Sequence, residues 1–146
     1  MDKSYKILEH IADVRVRAFG KTKEELFLNA MKGMNAVLKP QIKDKKSPPT
    51  PRLRRASKIR NIKIKSVDLN ALLVDFLSEV LYQIQTNKEI YNNVKFEKFS
   101  DIELEGELTG NKVELFGEDI KAVTYHKLEI KRNKEGLYGA TVLFDI

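Results

Sequence analysis

His10 and Asp13 stand three residues apart at the head of LEHIADVRVRAFG (8–20), and the sequence closes on Asp145 and Ile146. After Asp13 the chain alternates: Val14, Val16 and Ala18 face one way, and Arg15, Arg17 and Phe19 the other. This period of two predicts a half-buried strand. An aspartate at a strand's entrance keeps its carboxylate hydrated. A strand finishing at Asp145 adds a second carboxylate beside the main-chain oxygens of Ile146. If the two ends are neighbours, three anionic oxygen donors converge, a set suited to calcium or magnesium with carbonyls and water filling the shell. Asp13 also reads as a residue that only turns the chain into its strand. Two histidines, His10 and His126, are too few for a multi-histidine zinc site. The absence of cysteine removes disulfides, thiolate ligands and thiol catalysis.

The elements that must position these groups follow from periodicity. Thr22-Lys23-Glu24-Glu25 matches a capping box, and Leu26, Phe27, Ala30, Met31, Met34, Val37 and Leu38 continue at helical spacing until Pro40. The two methionines share this stripe and belong to the core rather than to an adaptable binding surface. A second helix starts at Asp68 as N-cap and carries Leu69, Leu72, Leu73, Phe76, Leu77, Val80, Leu81 and Ile84 on one broad face. Asp75 and Glu79, four apart, read as an exposed polar face before an acid–base pair. Ile59, Ile62 and Ile64 mark a strand with Lys63 and Lys65 outward. From Val94 the chain reads as strands. Ile102, Leu104 and Leu108 alternate with an acidic row of Glu103, Glu105 and Glu107, and Thr109-Gly110-Asn111 reads as a turn into Val113–Phe116. A strand follows from Lys121 through Leu128 and Ile130, then a turn at Asn133–Gly136 and a last strand with Tyr138, Ala140, Val142 and Phe144 alternating.

These elements, two amphipathic helices and several strands, suit a single domain over residues 1–146. A length of 146 residues, with 42% hydrophobic and 33% charged, suits one globular core. No run approaches the roughly 18 apolar residues that span a bilayer, and MDKSYKILEH has no apolar signal core. The expectation is a cytoplasmic protein with no membrane partner.

The formal charge of +6 is unevenly spread. Between Lys39 and Lys65 lie 11 Lys and Arg beside one acid, Asp44, which leaves the remainder at −4. Within this segment, at about 41–58, a loop or insert without periodicity holds Pro48, Pro49 and Pro51 and the cluster Arg52, Arg54 and Arg55. These arginines are candidate phosphate contacts, since each neutralised phosphate releases counterions. No aromatic side chain interleaves them, so base stacking within the segment is unsupported, and a solvated loop is the plainer reading.

Four stretches, HIADVRVRAFGKTKEEL, LNALLVDFLSEVLY, KAVTYH and the closing LFDI, occur in an order that resembles the archease family over most of the chain. The resemblance implies a single compact archease-like α+β domain, a mostly antiparallel sheet packed against two main amphipathic helices, that is not itself an enzyme. It implies a chaperone-like activator of the RtcB-type RNA ligase in tRNA splicing, promoting its guanylylation and multiple turnover, with a link to a tRNA methyltransferase. The family's metal site falls on Asp13, Asp145 and the main-chain oxygen of Ile146, with calcium, or magnesium or manganese, as the implied divalent cation. Lys121 and His126, within KAVTYH, and His10 become candidates for partner interaction or for orienting the site. The segment Gln41–Arg60 is more basic and proline-rich than the family pattern, and the stretch Leu115–Asp119 is short. Two rivals stand beside this reading. One is an RNA-binding accessory module using the basic segment 43–65. The other is a metal-dependent hydrolase, which lacks a further carboxylate cluster for two-metal catalysis.

Overall fold

A computed structural model describes residues 13–41, 58–125 and 128–146. In chain order these form β1 (Asp13–Gly20), α1 (Lys23–Leu38), β2 (Pro40–Gln41), β3 (Lys58–Lys65), α2 (Leu69–Asn87), β4 (Glu89–Phe99), β5 (Glu103–Lys112), β6 (Leu115–Phe116), β7 (Ala122–Thr124), β8 (Lys131–Arg132) and β9 (Tyr138–Asp145). Every strand pairing is antiparallel. One sheet is centred on β9, with β1 on one side and β7 and β8 on the other. A second has the order β3-β5-β4, and β2 and β6 form a small ribbon. The predicted α+β architecture with two helices is borne out. No helix among the described residues is long and apolar enough to cross a membrane.

The helices begin where their caps place them. The Thr22 hydroxyl accepts the Glu25 N–H at 3.0 Å, and Asp68 accepts the Ala71 N–H at 2.8 Å. The Glu25 carboxylate accepts from the Lys21 N–H, one residue ahead of the cap, rather than from Thr22 as a reciprocal box would have it. Thr22→Ala should cost about 1 kcal/mol, read as a lower urea midpoint at unchanged slope. Each helix ends on a lysine with left-handed backbone, Lys39 (φ 50°) and Lys88 (φ 54°), and Pro40 prevents α1 from continuing.

The helical stripes face the two sheets. Met31 and Met34 are fully buried, as are Phe27, Leu72, Leu73 and Phe76. Four rings tie α1, α2 and β4 together: Phe27 lies 5.5 Å from Phe76 and 5.0 Å from Phe99, and Phe96 lies 5.9 Å from Phe76.

Several local expectations are corrected. Gln41, assigned to the loop, pairs with Leu115 in the ribbon, and residues 42–57 lie outside the described ones. Strand β4 starts at Glu89, immediately after the α2 cap, not at Val94. Thr109-Gly110-Asn111 is no turn: β5 runs straight through it to Lys112. Ile102 is exposed in the bend before β5, and Ile59 is 60% exposed on the lysine side of β3. The strand foreseen from Lys121 to Ile130 is broken into β7 and β8. The turn at Asn133–Gly136 is present, with Gly136 at φ 87° and its N–H on the Asn133 carbonyl.

Candidate functional site

Strands β1 and β9 pair along their full length. Asp13 stands opposite Asp145, Arg15 opposite Leu143, Arg17 opposite Thr141 and Phe19 opposite Gly139. Burial holds that register. Both strands turn even-numbered residues inward, with Ala18, Ala140, Val142 and Phe144 in the core, so a slip of one residue would drive Arg15 and Arg17 into it. Strand β7 completes the first row by placing Ala122 opposite Asp145. The Lys121 N–H donates to the Asp145 carbonyl at 2.6 Å, which fixes the entrance of β7 at the same corner. Ile146 packs against the core, partly buried, and so pins the main chain just beyond Asp145.

The corner therefore holds two carboxylates on adjacent strands, both exposed. Directly opposed side chains sit about 4.5–5.5 Å apart at Cβ, and like charges there repel. A cation between them would remove that repulsion. Among the described residues no three His, Cys, Asp or Glu side chains converge on one point. The side chains thus supply two donors, and a bound ion would take further oxygens from main chain and water. A hard, oxygen-loving cation such as calcium fits that donor set, and a closed zinc site does not. Lys121 is exposed beside this corner. His10, His126, Arg52, Arg54 and Arg55 lie outside the described residues.

One polar cluster was not anticipated from the sequence. Glu89 is 1% exposed and accepts from Arg60 Nε at 3.0 Å and Nη2 at 2.8 Å. The Tyr91 hydroxyl donates to the same carboxylate at 2.7 Å. The bidentate guanidinium, and secondarily the phenol, hold the Glu89 carboxyl below its ordinary value against the opposing effect of burial. Burial, and then the neighbouring carboxylate, push the Tyr91 phenol up to about 12. This network ties β3 to the start of β4. A charged residue next to a helix C-terminus gives no sign in sequence that it will be buried.

The glutamate row is on the outward face of β5, as expected, but it is not a bare acidic surface. Glu105 pairs with Lys63 at 3.8 Å, and Glu103 with Lys65 at 3.8 Å and Lys98 at 2.5 Å. The Lys98 ammonium holds the Glu103 carboxyl below its usual range. Asp75 and Glu79 form the polar helix face foreseen, Asp75 accepting from the Ser66 hydroxyl and Glu79 from Gln83.

Comparison with known proteins places this fold. The family model described as the Archease protein family (MTH1598/TM1083) matches residues 5–146. The chain belongs to the archease family. The protein archease of Methanosarcina barkeri is 36% identical over 152 residues, covering 99% of this chain and 97% of that relative. The solution structure of Methanobacterium thermoautotrophicum protein 1598 superposes with a TM-score of 0.67 at 30% identity, over 92% of this chain and 93% of the other. A Thermotoga maritima structure, described as "an archease, possible chaperone", shares the fold with a TM-score of 0.64 at 21% identity, over 94% and 93% of the two chains. The archease resemblance carried by the four sequence motifs is borne out, and Asp13 and Asp145 of two of those motifs are cross-strand neighbours.

Proposed function

We propose that this archease-family chain is a non-enzymatic, chaperone-like activator of an RtcB-type RNA ligase. On this reading it works in the cytoplasm and offers its carboxylate corner to the ligase while that enzyme is guanylylated. The observation that carries the reading is the register of Asp13 opposite Asp145, two exposed carboxylates held side by side by a ladder whose other face is core. Their side chains, with a main-chain oxygen of Ile146, would hold a divalent cation, calcium in preference to magnesium or manganese because so few protein oxygens would leave much of the shell to water and set no strict geometry. Such an ion supplies positive charge to phosphate oxygens at the partner's site. The chain's own contribution is positional: β9 sets Asp145, β1 sets Asp13, and the Lys121 N–H holds the strand end between them. Lys121 would meet an anionic group on the partner.

The rival RNA-binding reading of segment 43–65 loses part of its charge within the fold. Arg60 is committed to Glu89, and Lys63 and Lys65 face Glu105 and Glu103. A role beside a tRNA methyltransferase draws on no separate observation.

A multiple-turnover ligation assay with the cognate ligase, GTP and a 3′-phosphate RNA tests the proposal. The chain should stimulate turnover, and Asp13→Ala, Asp145→Ala and removal of Ile146 should each abolish the stimulation while circular dichroism stays native. Stimulation that survives all three changes would discard the corner. An inert wild type would discard the partnership.

A further inference from the structure

The outward faces of the two sheets differ in charge logic. On the β3-β5-β4 sheet Lys63, Lys65 and Lys98 are matched in place by Glu105 and Glu103. On the β1-β9 sheet, successive outward rows hold Asp13 with Asp145, Arg15 with Leu143, Arg17 with Thr141, and Phe19 with Gly139. Among the described residues, neither Arg15 nor Arg17 is within ion-pair distance of a carboxylate. Arg17 instead donates to the Thr141 hydroxyl at 2.9 Å and lays its guanidinium 5.2 Å from the Phe19 ring centre. Gly139 has no side chain to stand against that ring, and a Cβ there would come within 3.4 Å of it. Phe19 therefore lies over β9 and keeps 47% of its surface exposed.

We propose that this outward face of β1 and β9 is a binding platform for single-stranded nucleic acid, with Arg15 and Arg17 on phosphates and Phe19 stacking on a base. Alternate residues of a strand recur about every 6.7 Å, so Arg15, Arg17 and Phe19 spring from one line of evenly spaced backbone positions on one face. An open sheet carrying exposed aromatics flanked by cations is the surface on which unpaired bases stack. An acidic protein segment would use the arginines and leave the ring without a role. Without a cation between them, the Asp13 and Asp145 carboxylates repel phosphate and close the platform at one end, so a bound strand lies toward Phe19. The platform draws on no residue of the basic segment 43–65, and the inference does not require the ligase reading to hold.

Fluorescence anisotropy with short labelled RNA and DNA single strands of one sequence tests it on the full chain without any ligase. Binding should fall steeply with salt. The double variant Arg15→Gln/Arg17→Gln should weaken it at least about tenfold and flatten the log–log salt slope by about 1.4. Phe19→Leu, which still covers Gly139, should cost about fivefold or more for a lost stack. The ratio of RNA to DNA affinity identifies the sugar preferred. The proposal is overturned if the native wild type binds neither strand, or if the double variant binds as wild type does. Loss of affinity only when Arg52, Arg54 and Arg55 are replaced together would assign binding to the insert and overturn it equally. Loss of ligase stimulation in the double variant, with no strand binding by wild type, would make this face a protein-docking surface instead.

Discussion

Gly110→Ala should destabilise the protein severely, by more than about 3 kcal/mol out of a total stability of roughly 5–15 kcal/mol for a domain of this kind. A Cβ at Gly110 would come within 1.8 Å of the Ile90 carbonyl oxygen and 2.7 Å of the Tyr91 Cα. These are backbone atoms, so no rotamer change can relieve the clash. Gly110 lies in β5, the central strand of its sheet, and moving it would break the ladders to both β3 and β4. Strand β4 shifts register just past Tyr91, Gly110's partner, and again past Phe96, the partner of Gly106. At Gly106 the nearest atom, the Lys95 carbonyl oxygen, would be 2.8 Å from a Cβ, so Gly106→Ala should be the milder change. Thermal unfolding by circular dichroism gives the ranking, and a Gly110→Ala protein as stable as Gly106→Ala would contradict the close approach.

Arg60→Met should destabilise the protein strongly at neutral pH, and the gap to wild type should narrow in acid. The substitution leaves the Glu89 carboxylate, 1% exposed, without its guanidinium, and an unpaired buried charge is among the costliest single changes. Glu89 carries a lowered native pKa. Its contribution is therefore complete above the ordinary carboxylate value near 4.5 and is lost as pH falls through the lowered native value. In Arg60→Met that value moves up, so the carboxyl protonates earlier and the penalty fades below pH 4.5. Glu89→Gln, which still accepts from Tyr91, should cost only about 1–2 kcal/mol. At the alkaline end, the stabilisation tied to the neutral Tyr91 phenol is whole below its ordinary value of 10.0 and is lost as pH rises through about 12. Melting curves at several pH values test these signs, and a gap between wild type and Arg60→Met that stayed constant down to acid pH would refute the account.

The helices were legible because their information is local. Thr22 and Asp68 cap within three residues, and apolar side chains recur with the helical turn. Each strand's inward face was legible for β1 and β9 from the same kind of local alternation. Their pairing was not, because nothing near Asp13 names Val142 or Asp145; only the archease resemblance joined the two ends. Gly110 was misread for a physical reason. A glycine beside threonine and asparagine is good turn chemistry, yet here it makes room for a crossing backbone rather than supplying a positive φ. Ile59 was misread because an isoleucine ahead of Ile62 and Ile64 looks like core, though it shares the parity of Lys63 and Lys65. Parity with Ile62 and Ile64 turns Arg60 inward, where Glu89 waits 29 positions along the chain.

Strand β9 is central in its sheet yet last in chain order. During synthesis β1 emerges before any of its partners, and residues 138–145 must clear the ribosome before the ladder can close. The α2, β3, β4 and β5 half makes its contacts over shorter stretches and can condense earlier. The carboxylate corner therefore comes into existence only once β9 has been made. A nascent or truncated copy lacking β9 has no corner to offer, so such fragments cannot compete with finished molecules for whatever the corner engages.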